Sequence, residues 1–290
     1  LSTHDYILFF TDKGKVYRLK GYEIPEFSRQ SKGIPIVNLL QVEKDERVNA
    51  VIQISREENS KYLLFATEAG VVKKTLISEF DNIRNSGKIC ISLRENDKLI
   101  GVKKTTGNDL VLLGSDSGRM VKFNEDEIRV MGRTASGVRG ISLDGSKCIC
   151  SEIVKEEDTI LLVTEKGYGK QTKVSEYRQT RRGSKGVKAM NITEKNGNLV
   201  SVKIVHKGKE LVIMTNSGMT MRMPLDQISV LGRVTQGLRL INLKDNQKVS
   251  TISLVDKPEE ETSEENIEQS ENVAQNEPEV AENIQNTEAE

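Results

Sequence analysis

The chain has 290 residues, and its 43 basic and 43 acidic side chains give a formal net charge of zero. This balance conceals an asymmetry, because residues 256–290 hold 13 acidic residues and one lysine, which leaves 42 basic and 30 acidic residues in the first 255. The sequence therefore predicts a basic body followed by an acidic tail. No apolar run approaches the roughly 18 residues that a membrane-spanning helix requires, and three cysteines are too few for a disulfide framework. These properties exclude a membrane-spanning protein and favour the reducing cytoplasm.

Five similar segments follow one another before the tail. Each has an apolar run, a polar turn that ends in glycine, and further short runs rich in Val, Ile and Leu. The turn glycines are 56, 48, 49 and 51 residues apart, and a second glycine follows 19 residues later, or 17 later in the second segment. The turn glycines are Gly14, Gly70, Gly118, Gly167 and Gly218, and the second glycines are Gly33, Gly87, Gly137, Gly186 and Gly237. The predicted repeats are residues 6–54, 62–105, 110–154, 160–205 and 211–255.

The repeats predict an all-β fold. Short runs of β-branched residues bounded by Gly, Asp, Asn and Ser are typical of strands, and the turns suit hairpins in which glycine takes a positive φ angle. No stretch before residue 256 keeps a helical apolar period over ten residues. Four strands in every repeat predict the four-stranded blades of a propeller-like disc, and an incomplete ring of such blades leaves an exposed edge. Residues 256–290 contain no aromatic residue and few apolar ones, which predicts a disordered acidic tail.

Basic residues recur at matched places in the repeats. Four residues after the turn glycine, four of the five repeats carry Arg or Lys. Fifteen residues after it an arginine recurs, one place early in the second repeat, and the last three repeats have a basic residue two places beyond the second glycine. A further cluster lies in YRQTRRGSKGVKAM. The candidate DNA-binding residues are Arg18, Arg29, Lys74, Arg84, Lys122, Arg133, Arg139, Arg178, Arg181, Arg182, Lys185, Lys188, Arg222, Arg233 and Arg239.

Matched positions in a radial repeat lie at the same radius and height, so these side chains predict a cationic band around the rim of the disc. A curved, regularly spaced band suits duplex DNA, a regularly charged polymer that bends. The few aromatic residues, six Tyr, six Phe and no Trp, argue against a single-strand binder that stacks bases. Without a recognition helix, binding would rest on phosphate contacts and DNA deformability. The alternative is a scattered excess of Lys and Arg that only keeps the surface soluble. Scattered charge need not recur at matched offsets.

Other residue patterns predict no chemistry. Cys148 and Cys150 share one face of a strand as a buried pair, and His4 and His206 have no partner at metal-ligand spacing. The sequence contains no phosphate-binding loop and no nucleophile–histidine–acid pattern. We therefore predict no catalytic residue, no metal site and no cofactor in this chain.

Several segments resemble the C-terminal domain of DNA gyrase A, from the bacterial type IIA topoisomerases. They include THDYILFFTDKGKVYRLKGYEIPE, KGIPIVNLL, MGRTASGVRGI and LGRVTQGLRLI, and the resemblance covers residues 1–255. It implies a β-pinwheel of six blades, five of them present here, that wraps duplex DNA around its edge. It also implies a holoenzyme with the N-terminal part of gyrase A and with gyrase B, which uses ATP and Mg²⁺ to introduce negative supercoils. The catalytic tyrosine of that enzyme is expected outside this chain.

One motif departs from the family pattern. The segment Thr180–Gly186, T-R-R-G-S-K-G, matches the family's signature heptapeptide Q-R-R-G-G-K-G at five of seven places. The signature belongs to the first blade, whereas this segment belongs to a later one, so we do not assign it that role. Because the chain opens at Leu1, we expect a fragment whose first blade lies upstream.

Three alternatives remain open at this stage. The equivalent domain of topoisomerase IV resembles this one but has fewer or degraded blades. A protein-interaction propeller would expose apolar loops, and an enzymatic propeller would need acids or histidines converging on its central channel. The acidic tail is either a competitor of DNA for the rim or a solubilising extension. We expect a monomeric, cytoplasmic, nucleoid-associated fragment.

Overall fold

The computed structural model describes residues 2–28, 30–55, 60–244 and 246–257. The chain divides into two compact units, Leu1–Val255 and Asp256–Glu290. The predicted disorder of the tail falls on residues 258–290, which lie outside the described residues, as does the candidate residue Arg29.

The first unit consists of short strands joined by turns, which confirms the predicted all-β fold. Its strands are β1 (Tyr6–Thr11), β2 (Lys15–Lys20), β3 (Val48–Ile54), β4 (Tyr62–Thr67), β5 (Val71–Leu76), β6 (Lys88–Ile89), β7 (Leu99–Thr105), β8 (Leu110–Ser115), β9 (Arg119–Asn124), β10 (Val138–Arg139), β11 (Cys148–Val154), β12 (Thr159–Thr164), β13 (Tyr168–Lys173), β14 (Val187–Lys188), β15 (Leu199–Ile204), β16 (Lys209–Thr215), β17 (Thr220–Pro224), β18 (Leu238–Arg239) and β19 (Val249–Asp256). The helices of the described residues are all single 3₁₀ turns, at Gly21–Glu23, Ile36–Asn38, Ile77–Phe80, Glu125–Glu127, Val174–Glu176 and Leu225–Gln227.

The hairpin of each repeat is built by a T-x-x-G pattern, with Ser115 in place of the threonine in the third repeat. In the second repeat the Gly70 N–H donates to the Thr67 carbonyl at 2.9 Å, and the Val71 N–H donates to the Thr67 hydroxyl at 3.2 Å. The fourth repeat forms the same two bonds from Gly167 and Tyr168 to Thr164. The threonine therefore satisfies two backbone donors of the turn, and glycine supplies the positive φ angle that closes it.

The sheets are completed across repeat boundaries. Their strand orders are β3-β1-β2-β6, β7-β4-β5-β10, β11-β8-β9-β14 and β15-β12-β13-β18, followed by a three-stranded sheet β17-β16-β19. The short outermost strand of each of the first four sheets belongs to the following repeat, and we call it the donor strand. The four-stranded blades are thus confirmed for the first four sheets. The fourth strand of each of these blades, however, comes from the following repeat and not from the repeat that supplies the other three strands.

The cores lie between successive sheets. Phe10, Phe65 and Phe80 pack together with edge-on and tilted ring contacts of 5.6 to 6.0 Å between the first two sheets. Further clusters join each later pair of sheets. The strands β3, β7, β11 and β15 contact one another in turn and line a central cavity of about 300 Å³. The disc is therefore held together by contacts between blades.

Both ends of the described repeats carry unpaired segments. In the fifth sheet, β17 has no strand on its outer side among the described residues. In the first repeat, residues 33–39 stand in register with the donor strands, yet Ile34 and Val37 are exposed and the segment pairs with no described strand. This is the exposed edge that the repeat pattern predicts for an incomplete ring.

Candidate nucleic-acid interface

The basic segments of the last three repeats run along the outer edge of the preceding sheet. Backbone N–H groups of Met131 and Thr180 donate to the carbonyls of Lys74 and Lys122 at 2.8 and 2.7 Å, and Leu231 bonds to Gln171 in the same way. Each segment lies between a 3₁₀ turn and a donor strand. We call these segments, residues 128–137, 177–186 and 228–237, the rim loops.

One arginine in each rim loop occupies the same place. A guanidinium Nη1 group of Arg133 donates to the carbonyl of Ile89, that of Arg182 to Arg139 at 3.2 Å, and that of Arg233 to Lys188. Each acceptor stands two residues after the second glycine of the preceding repeat. The partners are carbonyls rather than carboxylates, so the charge of each guanidinium is not cancelled. Each half-exposed group also keeps further N–H donors for a phosphate.

The backbone of the rim loops is fixed by acidic side chains. The N–H groups of Arg182 and Arg233 donate to carboxylate oxygens of Glu127 and Glu176 at 3.0 and 2.8 Å. Each glutamate lies in the 3₁₀ turn of the repeat that precedes the arginine. Because these carboxylates accept from backbone N–H groups, the guanidinium groups of the arginines remain available to bind phosphates.

Two buried lysines, which the sequence analysis missed, also hold rim loops. Lys170 Nζ donates to the carbonyls of Gly232 and Arg233 at 2.8 and 2.7 Å, and Lys73 Nζ donates to the Arg133 carbonyl at 2.6 Å. Burial lowers the pKa of both ammonium groups to about 8. They lie three residues after the turn glycine, a position occupied by Tyr, Lys, Val, Lys and Met in the five repeats. Because only two of these residues are basic, a search for basic residues at matched positions did not identify them.

The loop around the signature-like segment is held by contacts with the preceding repeat. Arg119, which was also missed, donates from Nε and Nη2 to the carbonyls of Lys185 and Gly186 at 3.0 and 3.2 Å. The Lys185 ammonium forms an ion pair of 2.7 Å with Asp144, on side chains that are both largely exposed. Six other candidate residues are exposed, namely Arg84, Arg139, Arg178, Arg181, Lys188 and Arg239.

The position four residues after the turn glycine does not face the rim, which corrects the expectation for Lys74 and Lys122. The exposed fractions of Lys74 and Lys122 are only 5% and 3%. Their Nζ atoms donate to the carbonyls of Glu125 and Val174, respectively. Both acceptors begin the 3₁₀ turn of the next repeat. Gln171, the one uncharged member, donates to the carbonyl of Leu225 in the same manner. The position therefore requires a side chain that donates an N–H hydrogen bond to a neighbouring turn, not a positive charge. The uncharged Gln171 at this position was the indication of this in the sequence.

Two further candidates at that position are also engaged. The Arg18 guanidinium lies 4.4 Å from the centre of the Tyr6 ring and donates to the Asp81 carbonyl. Arg222 lies on β17, where no described repeat follows, and it pairs with Glu210. Neither arginine belongs to the rim loops, so the interface rests on the loop arginines rather than on this position.

The centre of the disc offers no convergent catalytic group among the described residues. The Glu152 carboxylate in the central cavity pairs with Lys103 at 2.6 Å and lies 3.7 Å from Lys203. Across the described ranges, no three His, Cys, Asp or Glu side chains are grouped to hold a metal ion. Burial raises the pKa of the Cys90 and Cys148 thiols to about 12, so these thiols stay neutral. No helix in the described part of the chain is long and apolar enough to span a membrane.

Comparisons with known proteins show which family the repeats belong to. Residues 5–55, 61–106, 109–149, 158–206 and 209–256 match the family model of the DNA gyrase C-terminal domain, beta-propeller. The chain is 47% identical over 264 residues to the DNA gyrase A protein of Staphylococcus epidermidis (strain ATCC 12228 / FDA PCI 1200), and 47% identical over 269 residues to that of Staphylococcus aureus (strain NCTC 8325 / PS 47). These alignments cover 90% and 91% of this chain but only 30% of each relative.

Two solved structures share the architecture. The C-terminal domain of a DNA topoisomerase IV superposes with a TM-score of 0.81 at 24% identity, over 88% of this chain and 80% of that chain. A DNA gyrase A C-terminal domain superposes with a TM-score of 0.73 at 25% identity, over 88% of this chain and 83% of that chain. The family match extends through all five repeats, and the curated relatives are gyrase proteins. The chain therefore belongs to the DNA gyrase C-terminal domain family.

Proposed function

We propose that this chain binds duplex DNA along the rim loops and bends it around the edge of the disc. The observation that carries this proposal is the equivalent placement of Arg133, Arg182 and Arg233, each held by a carbonyl of the neighbouring repeat. Side chains held at one place on successive blades form a curved series of phosphate donors. Such contacts read the backbone and shape of DNA rather than its base sequence.

The energetics permit bending. Bending a few tens of base pairs through a large angle costs on the order of 10 kcal/mol. Each neutralised phosphate releases counterions and contributes about 0.9 to the slope of log affinity against log salt, so about ten contacts produce a slope near −9. Removing Lys74, Lys122, Arg18 and Arg222 from the predicted series leaves ten described candidates, which is sufficient for that number.

The role within a larger enzyme is part of the same proposal. The curated relatives are about three times as long as the matched part of this chain, and they are DNA gyrase A proteins. We place the chain in the cytoplasm at the nucleoid, as a noncatalytic domain that works with the N-terminal part of gyrase A and with gyrase B. ATP, Mg²⁺ and the catalytic tyrosine belong to those parts, and DNA wrapping supports the introduction of negative supercoils.

The test measures the affinity of the chain for a linear duplex of about 150 base pairs, one persistence length, as a function of salt. Replacing Arg133, Arg182 and Arg233 by Gln keeps a side-chain N–H donor but removes three charges. We expect the salt slope to become less steep by about 3. The matched control replaces the exposed Lys44, Lys155 and Lys207 by Gln and leaves the slope unchanged. An affinity of the unaltered chain that does not respond to salt would contradict the proposal.

A further inference from the structure

A cationic pocket lies where the fourth and fifth repeats meet, on the side of the hairpin turns. Its volume is about 360 Å³, within the size range of small-molecule sites. The side chains that define it, here called the basic pocket, are Lys166, Tyr168, Lys195, Arg239, Lys244 and Lys248. None of the described residues that line it is acidic. Among its cations, Lys248 forms an ion pair of 2.8 Å with Glu165, whereas Lys195 and Lys244 form no ion pair with any described residue.

Hydrogen bonds and ring contacts connect several side chains and loops around the basic pocket. The buried Tyr168 hydroxyl accepts a hydrogen bond of 2.9 Å from Arg239, whose guanidinium lies 5.5 Å from the centre of the same ring. The Lys195 ammonium lies 5.9 Å from that ring centre. The loop that carries Lys195 is held by the fully buried Asn196, whose side-chain oxygen accepts from the Thr193 N–H at 2.7 Å. Two cations therefore lie within 6 Å of the centre of one aromatic ring.

This pocket is not a general feature of the repeat. At the boundary of the second and third repeats, the residues that correspond to Lys166, Tyr168 and Lys244 are Ala69, Val71 and Asp144. An apolar side chain replaces the ring there, and a carboxylate replaces an ammonium. The register of the fold therefore does not require the charge of the basic pocket.

We propose that the basic pocket binds phosphate groups of duplex DNA that leave the rim loops at the fifth repeat. This inference rests on the proposed DNA-binding function and extends it to a specific site. Converging positive charges attract an anion, and ammonium and guanidinium donors bind phosphate oxygens in charge-assisted hydrogen bonds. Arg239, which ends the series of basic residues two places beyond the second glycines, connects the pocket to the rim. The phosphates of one DNA strand therefore run from Arg233 into the basic pocket.

The experiment replaces Lys195 and Lys244 together by Ala in the full chain and measures duplex affinity against salt. Both ammonium groups are exposed and form no ion pair with a described residue, so we expect an unchanged unfolding midpoint. We expect a salt slope less steep by about 2, since each lost phosphate contact removes about 0.9. The double replacement of Lys195 and Lys244 by Arg retains the charge and should keep the slope of the unaltered chain.

The control replaces Lys155 and Lys207 by Ala. These exposed lysines follow β11 and β15, at the strand ends away from the hairpin turns, and their loss should leave the slope unchanged. An equal salt slope for the Lys195/Lys244 variant and the unaltered chain would overturn the proposal that the basic pocket binds DNA. It would not affect the proposal that the rim loops bind DNA. A higher DNA affinity of that variant would also overturn it, because the pocket would then hold the acidic tail instead. Failure of the unaltered chain to bind DNA would overturn the proposed function itself.

Discussion

The boundary of the fourth and fifth repeats and the open edge of the fifth sheet have the same local pattern but different neighbours. At the boundary, β18 pairs with β13, and Ile241 covers Gly167 so closely that a Cβ there would lie 2.6 Å from Ile241 Cγ2. At the open edge, no described atom lies within 4 Å of a Cβ built on Gly218. The φ angles of the two glycines, 79° and 81°, are nearly identical. The turn is thus encoded locally, whereas its covering comes from the next repeat.

This difference shows that each repeat relies on its neighbour for stability. In a solenoid-like array, stability is a sum of repeat terms and nearest-neighbour interfaces. Here the interface includes a strand, its apolar residues and a side chain that donates to the neighbouring 3₁₀ turn. Variants at paired positions, one covered and one open, therefore separate the interface from the local conformation.

The largest effect is expected for the two turn glycines. Gly167→Ala and Gly218→Ala incur the same positive-φ strain, about 1 kcal/mol or slightly more. Gly167→Ala additionally forces Cβ against Ile241 and its carbonyl, which adds about 1 to 3 kcal/mol. We expect urea unfolding to show a loss of about 3 kcal/mol for Gly167→Ala and about 1 kcal/mol for Gly218→Ala. Equal losses would mean that Ile241 does not cover the turn in solution.

An effect of similar size concerns the apolar residue four places after the second glycine. Ile241 is 6% exposed in the covered boundary, whereas Val37, at the same register in the first repeat, is 58% exposed. Ile241→Ala removes buried methyl groups and leaves a cavity, so we expect a destabilisation of about 3 kcal/mol. Val37→Ala should change the free energy of unfolding by less than about 0.5 kcal/mol. A cost of several kcal/mol at Val37 would show that the first repeat's segment is covered in solution.

The smallest effect is a pH dependence from the buried lysine of the covered boundary. The fifth repeat has Met221 at the position of Lys170 in the fourth repeat. The substitution Lys170→Met therefore gives the fourth repeat the residue that the fifth repeat has. The pKa of Lys170 is lowered from 10.5 to about 8, so between these values the unfolded chain binds more protons than the folded chain. Stability contributed by Lys170 therefore rises with pH across this window.

The measurement is the difference in unfolding free energy between the unaltered chain and Lys170→Met. From pH 8 to pH 10.5, we expect the unfolding free energy of the unaltered chain to rise by ~2 kcal/mol relative to that of Lys170→Met. Because burial raises the pKa of the Cys90 and Cys148 thiols, both chains lose stability above about pH 9, and this loss cancels in the difference. Lys155→Met, at an exposed lysine, is the control and should track the unaltered chain. Parallel curves for Lys170→Met would show that its ammonium is not buried.

Much of the fold could be predicted from the sequence. The spacing of the turn glycines defines five equivalent units, and their threonines and glycines specify the hairpins through local hydrogen bonds. The arginines fifteen residues after the turn glycine occupy matched places, as their spacing predicted, although Arg29 lies outside the described residues. The donation of a strand to the preceding sheet could not be inferred, because a short apolar run does not indicate which sheet it joins.

The repeat pattern by itself determined which positions are equivalent, and only the tertiary structure decided which of them reach solvent. Lys74 and Lys122 are as basic and as regular as the rim arginines, yet a neighbouring 3₁₀ turn covers them. The convergence of Lys195, Lys244 and Arg239 likewise joins loops that are distant along the chain. The physical reason is that periodicity records local backbone geometry, whereas burial and charge convergence depend on the neighbour that packs against each repeat.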